Sequence, residues 1–221
     1  MRISMLLTSL SLCGGVGCAA TFDGEIDSKS IPAFGSAAFG QADTDPIIGN
    51  RVRFILGVLA PGNSCDDGAE FLKLQRRLDE ASGDEREDRA QAVADLMNER
   101  LPDDSWYGFI TMTATDDDDL DDTGFDFDDQ TDGITVDLQL CQRQGEVKEL
   151  DGNVDSDDDC FSAVDGDVDI TRSADERSLN LVSDGGVDFN SASGRDEGTV
   201  DFSIGLGECD DMTDEVERRL Q

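Results

Sequence analysis

The feature that most constrains the fold is a series of short segments in which apolar and polar residues alternate. The clearest spans 133–141, and its apolar residues fall at every second position. They are Ile134, Val136, Leu138 and Leu140. This period of two is typical of a β-strand with one buried face. The segment therefore predicts a strand that packs on a core.

Similar segments recur along the chain between clusters of turn-forming residues. Further strands are predicted at 47–59, 106–115, 164–170, 178–182, 187–190 and 198–204. The turn sequence Ser183-Asp184-Gly185-Gly186 separates two of them and predicts a hairpin. Repeated short strands with turn signals are typical of an antiparallel β-sandwich or barrel.

One stretch has the spacing of helices instead. Between 67 and 101, apolar residues recur three and four positions apart. They are Phe71, Leu72, Leu74 and Leu78, then Ala90, Val93, Met97 and Leu101. Ser82-Gly83-Asp84 interrupts the pattern. The predicted fold class is mainly β (α+β by a strict count): an antiparallel β-sandwich or barrel with an inserted two-helix hairpin.

The domain organisation follows from these patterns. Residues 45–209 are predicted to form one β-rich domain, with the helical insertion at 67–101. Residues 18–44, rich in Gly, Ser and Ala, are either an N-terminal tether or the first short strands. Residues 210–221 are predicted to be a short polar C-terminal helix or tail, and residues 1–17 a signal peptide.

The signal peptide is predicted from the first residues of the chain. Arg2 precedes an apolar run, 3–12, that is too short to span a bilayer. A positive residue, a short apolar run and small residues after it are the pattern of a cleaved export signal. The mature chain is therefore predicted to lie outside the cytoplasm.

The end of this signal resembles the lipobox of bacterial lipoproteins. Gly15-Val16-Gly17-Cys18 places small residues before a cysteine, although the family usually has Leu at the position of Gly15. The resemblance implies that Cys18 receives a lipid and becomes the new N-terminus, so that acyl chains anchor the protein. Ala19 follows, not the Asp that marks inner-membrane retention in similar proteins, which favours the outer membrane.

Ordinary cleavage after Ala20 is the alternative. Cys18-Ala19-Ala20 also satisfies the small-x-small rule of signal peptidase sites. In that case the protein is secreted without a lipid. The two alternatives differ in whether Cys18 remains in the mature chain.

The charge of the chain excludes one class of partner. With 52 acidic and 17 basic residues, the formal net charge is −35. Such a chain repels nucleic acid, so no nucleic-acid partner is predicted. The acidity is explained by halophilic adaptation, by binding of divalent cations, or by a disordered acidic segment. Halophilic adaptation is the favoured interpretation.

The cysteines predict two disulfides. Apart from Cys13 in the signal and Cys18, four cysteines remain. They are Cys65, Cys141, Cys160 and Cys209. An even number in an exported chain is typical of a disulfide framework. Of three connectivities, we favour Cys141–Cys160 together with Cys65–Cys209.

An acidic run, 115–133, is the candidate metal site. Its segment 119–124 partly matches the first half of a calcium loop, but Gln130 stands where a bidentate Glu is expected. The candidate ligands are Asp117, Asp119, Asp121, Asp126, Asp128 and Asp132. No cofactor is predicted apart from this candidate Ca²⁺. A solvated loop without metal is the favoured interpretation.

No catalytic residues are predicted. The chain has no histidine, which excludes His-dependent triads and His metal sites. We predict an exported, lipid-anchored protein of the cell envelope with a structural or interaction role, bound to the membrane by its lipid and to an envelope protein. The alternatives are a calcium-dependent binding or adhesion module and, less favoured, a hydrolase that uses two carboxylates.

Overall fold

The computed structural model describes residues 18–44, 52–115, 120, 123–128 and 133–221. These residues form three helices and fourteen strands. The helices are α1 (Ser64–Glu80), α2 (Asp84–Arg100) and α3 (Asp210–Arg219). The strands are β1 (Cys18–Ile26), β2 (Lys29–Ser30), β3 (Phe34–Thr44), β4 (Val52–Ala60), β5 (Trp106–Ala114), β6 (Thr123–Asp126), β7 (Ile134–Gln142), β8 (Lys148–Leu150), β9 (Asn153–Asp155), β10 (Asp159–Asp165), β11 (Asp167–Arg172), β12 (Ser178–Ser183), β13 (Val187–Ser191) and β14 (Asp196–Glu208).

The main sheet closes on itself. Antiparallel pairings lead from β1 through β3, β4, β5, β7, β10 and β13 to β14, and β14 pairs again with β1. The result is a barrel-like ring of eight strands whose interior is filled by alternating apolar side chains. The predicted class, mainly β and antiparallel with inserted helices, is confirmed.

Strand β14 is the branch point of the sheet. Its first half pairs with β13, and its second half pairs with β12 along the same edge. The hydroxyl of Ser183 lies in this fork: it accepts a hydrogen bond from the backbone N–H of Phe202 (2.7 Å) and donates one to the carbonyl of Phe202 (3.2 Å). The predicted hairpin between β12 and β13 is therefore wrong, because both strands pair with β14 and not with each other.

A second strand prediction is also corrected. The segment 164–170 is divided at Gly166, which has a φ of +117° and separates β10 from β11. A Cβ at this position would lie 2.9 Å from the carbonyl oxygen of Gly186. Glycine is needed here for its backbone conformation and for the close approach of the neighbouring chain. After Gly166 the chain therefore continues outside the ring of eight strands. There β12, β11 and β6 extend the sheet from β14.

The segment 18–44 belongs to the sheet. It forms β1, β2 and β3, and its side chains at Ala20, Phe34 and Phe39 are buried in the barrel interior. Of the two sequence alternatives, strands or a tether, the structure shows strands. The described part of the predicted strand 47–59 is β4, whereas 47–51 lies outside the described residues.

The helices cover one side of the barrel. The predicted insertion is α1 and α2, and the side chain of Asn63 caps α1 by accepting from the backbone N–H groups of Cys65 and Asp66. Of the two expectations for the C-terminal segment, a short helix or a tail, the structure shows a helix: 210–219 is α3, whose apolar residues Met212 and Val216 are buried against β3. These two residues are four positions apart and therefore lie on the same face of the helix.

We expect Gly40→Ala to weaken the packing of α3 on β3. A Cβ at Gly40 would lie 2.5 Å from the carbonyl carbon of Met212, and this backbone cannot rotate away as a side chain can. Such overpacking costs about 1–3 kcal/mol. Urea unfolding monitored by circular dichroism measures the loss. Gly35→Ala on the same strand is the control, because its Cβ would meet no atom within 4 Å; equal losses for both variants would contradict the close contact.

Candidate functional site

The candidate calcium ligands are only partly within the described structure. Asp117, Asp119, Asp121 and Asp132 lie outside the described residues. Asp126 ends β6, and its carboxylate accepts a hydrogen bond from the backbone N–H of Asp128 (2.9 Å), which closes a local turn. In the part of the chain that the structure describes, no three acidic or cysteine residues come together as a metal site would require. The calcium site stays a prediction.

Both disulfides join the cysteines that the sequence analysis favoured. Cys65 and Cys209 are bonded and connect the start of α1 to the junction between β14 and α3. Cys141 and Cys160 are bonded and stand opposite each other on the paired strands β7 and β10. The first bond fastens two helices to the barrel, whereas the second links two neighbouring strands.

A buried polar cluster lies where β5, β7 and α2 meet. The side chains of Arg143 and Asp158 are each 1% exposed, and their N and O atoms are 3.0 Å apart. Tyr107 donates from its hydroxyl to Asp158 (2.8 Å), and Arg143 donates to the side-chain oxygen of Asn98 on α2 (2.5 Å). Burial, with the hydrogen bond to Asp158, raises the pKa of Tyr107 well above its usual value.

This polar cluster holds the fold together and leaves little capacity for chemistry. One Asp158 oxygen accepts from Arg143 and from the backbone N–H of Gln144, and the other accepts from Tyr107. Its carboxylate thus accepts three hydrogen bonds from within the protein and is 1% exposed, which favours a structural role. Asn98 extends the same network by exchanging two hydrogen bonds with the backbone of Val147. The cluster therefore fastens α2 to the β7–β8 loop.

Carboxylates also gather between α1 and α3, around a groove of about 380 Å³. The acidic residues there are Glu70, Asp211, Asp214 and Glu215. Glu215 is the buried one, and it forms ion pairs with Arg76 (3.2 Å) and with Arg218. Because a glycosidase-type pair needs one carboxyl group held as a proton donor, this arginine-paired arrangement does not favour a hydrolase.

The outer face of β4 and β5 carries an apolar groove, which we call the aromatic groove. It has a volume of about 280 Å³ and is lined by Leu56, Phe71, Leu72, Phe109 and Thr111, together with the polar residues Asp137, Gln139 and Arg219. Phe71 from α1 stacks on Phe109 from β5, with ring centroids 5.7 Å apart. The same two rings form one wall of an adjoining cavity of about 50 Å³ between α1 and α2.

An ion pair stands at the wall of this adjoining cavity. Asp67 lies 3.5 Å from the guanidinium of Arg100, and both residues line the cavity. Burial raises the pKa of the Asp67 carboxyl, and the charge of Arg100 partly offsets this rise. At the other end, Asp137 of β7 lines the aromatic groove and is exposed to solvent.

Comparison of the chain with protein-family models, with curated proteins and with solved structures finds no match. None of the helices in the described residues is long and apolar enough to cross a membrane. The function must therefore be argued from the geometry of this chain.

Sequence reasoning did not identify the aromatic groove or the buried polar cluster. Trp106 and Tyr107 lie in the predicted strand 106–115, and both are buried. Phe71 is predicted on the apolar face of a helix, but its side chain is only partly buried and lines the groove. Arg143 has no local sequence signal, since its partners come from 15 and 45 positions away.

Proposed function

We propose that this is an exported cell-envelope protein, anchored through a lipid on Cys18, that has a structural or interaction role and no catalytic activity. The observation that carries the proposal is the position of β1 in the barrel. This strand contains Ala20, which is fully buried and paired on both sides.

The first residues of β1 are part of the folded domain. Ala20 is fully buried in the barrel interior and stands opposite Phe34 of β3 and Ile204 of β14. Cys18 stands opposite Ala37 of β3. Cleavage after Ala20 would remove a core side chain and part of the β1–β3 pairing.

Cleavage before Cys18 would leave β1 whole. The burial of Ala20 thus supports the lipobox alternative over ordinary cleavage, because only the lipobox cleavage retains residues 18–20. The two disulfides fit the same proposal, since such bonds persist in oxidising compartments outside the cytoplasm.

We expect the mature protein to begin at Cys18 and to carry acyl chains there. The full chain is expressed with its own N-terminus in a Gram-negative bacterium, and mass spectrometry of the N-terminal peptide reports the cleavage position and the added lipid mass. Cys18→Ser is expected to abolish both the lipid mass and the partitioning into detergent. Cys13→Ser, which changes a cysteine inside the signal, is the matched control and is expected to be processed normally. A mature N-terminus at Thr21 would contradict the proposal.

A further inference from the structure

The aromatic groove is an apolar depression in a strongly acidic protein. Its aromatic walls, Phe71 and Phe109, are only partly buried, and no described residue fills the space between them and Thr111. Partly exposed aromatic side chains that border a groove are typical of protein interaction sites. The groove is therefore a candidate docking surface.

The size of the groove limits what can occupy it. The enclosed cavity of about 50 Å³ accommodates the end of one apolar side chain, and the open part measures about 280 Å³. Each is smaller than the ~300–1,000 Å³ of a site for a drug-sized ligand. An extended or helical segment that inserts one large side chain and lays a second along the rings fits this shape better.

The charges around the groove limit the partner further. The two arginines nearby are already paired, Arg100 with Asp67 and Arg219 with Asp79 (2.9 Å). Asp137 has no ion-pair partner among the described residues. The net charge of −35 repels an acidic partner and attracts a basic one over distances of about a Debye length.

We propose that the aromatic groove binds a cationic amphipathic segment of another envelope protein, with an apolar side chain packed against the stacked rings of Phe71 and Phe109 and a basic residue near Asp137. This proposal identifies the surface that would carry the interaction role proposed above. It rests on that role but does not depend on the lipid at Cys18, so the two proposals fail or succeed separately.

The test uses two fluorescein-labelled peptides of equal charge. The first has nine residues of alternating Lys and Leu, and the second has Ser in place of every Leu. The protein used is the chain from residue 18 onward, which contains all the helices and strands named above. Its binding to each peptide is measured by fluorescence anisotropy. We expect the Leu peptide to bind at least tenfold more tightly than the Ser peptide, because only the Leu peptide has side chains that fill the groove.

Two variants locate the site. Thr111→Arg places a large cation in the groove and is expected to weaken binding of the Leu peptide at least tenfold. Asp137→Lys is expected to weaken it about fivefold. The matched controls are Thr21→Arg and Asp201→Lys, which change exposed positions on β1 and β14 by the same charge. We expect less than a twofold effect from either control, and thermal melting verifies that all four variants are folded.

Three outcomes would overturn the proposal. Equal binding of the Leu and Ser peptides would mean attraction by net charge alone. Equal effects of Thr111→Arg and Thr21→Arg would place the peptide elsewhere. A concentration-dependent dimer in analytical ultracentrifugation that Thr111→Arg abolishes would assign the groove to a second copy of this chain instead.

Discussion

Replacing Asp158 with alanine is expected to lower the free energy of unfolding by about 3–5 kcal/mol. The substitution leaves the buried guanidinium of Arg143 without its counterion, and breaking a buried pair from one side has a cost of this size. It also removes the acceptor for the Tyr107 hydroxyl and for the backbone N–H of Gln144. Urea unfolding monitored by tryptophan fluorescence, with Trp106 beside the cluster in sequence, measures the loss.

Two further variants test the cause of this loss. Asp159→Ala removes the carboxylate that follows Asp158 in the chain, at the first position of β10. The side chain of Asp159 is 52% exposed, so this substitution is expected to change the free energy of unfolding by no more than about 1 kcal/mol. The double variant Arg143→Met with Asp158→Leu removes both charges and is expected to recover most of the stability. A loss below about 1 kcal/mol for Asp158→Ala would show that the pair does not hold α2 on the barrel.

The sequence predicted strands well where one face is buried. Alternation at 133–141 became β7, because apolar residues at every second position must face the interior of the ring. Alternation does not say which strand is the partner. The segments 178–182 and 187–190 have the pattern of a hairpin, yet both pair with β14, whose thirteen residues offer room for two partners on one edge.

Close packing was harder to foresee than strand position. The contact between α3 and β3 depends on Gly40, which allows the helix backbone to approach the sheet. A glycine in a strand is also compatible with a bulge or a bend, so the sequence alone does not show that a helix packs against it. For the same reason the acidic segment 210–221 left a short helix and a tail open as alternatives, although Met212 and Val216 fasten the helix to the barrel.

The candidate sites illustrate a second limit. The buried cluster unites Asn98, Tyr107, Arg143 and Asp158 from four separate elements or loops, and none of these residues is unusual in its local sequence. The aromatic groove is likewise lined by residues that come from separate elements, among them α1, β4 and β5. A one-dimensional pattern identifies which face of an element is apolar, but only the assembled fold shows which part of that face is left open.

The two disulfides are predicted to contribute unequally to stability. Cys65 and Cys209 are separated by 144 residues, whereas Cys141 and Cys160 are separated by 19. A crosslink restricts the unfolded chain more when the loop it closes is longer, by about 5 kcal/mol for the first bond and about 3 kcal/mol for the second. The longer loop also includes both helices of the insertion and most of the strands.

We therefore expect Cys65→Ala with Cys209→Ala to destabilise the protein by about 2 kcal/mol more than Cys141→Ala with Cys160→Ala. Each double variant removes the same atoms, so each is the control for the other. Urea unfolding at 25 °C measures the difference. A loss of about 5 kcal/mol approaches the whole stability of a typical domain, so the first variant is expected to be partly unfolded without denaturant. An equal or larger loss for the second variant would show that local pairing of β7 with β10, and not loop length, governs the contribution of these bonds.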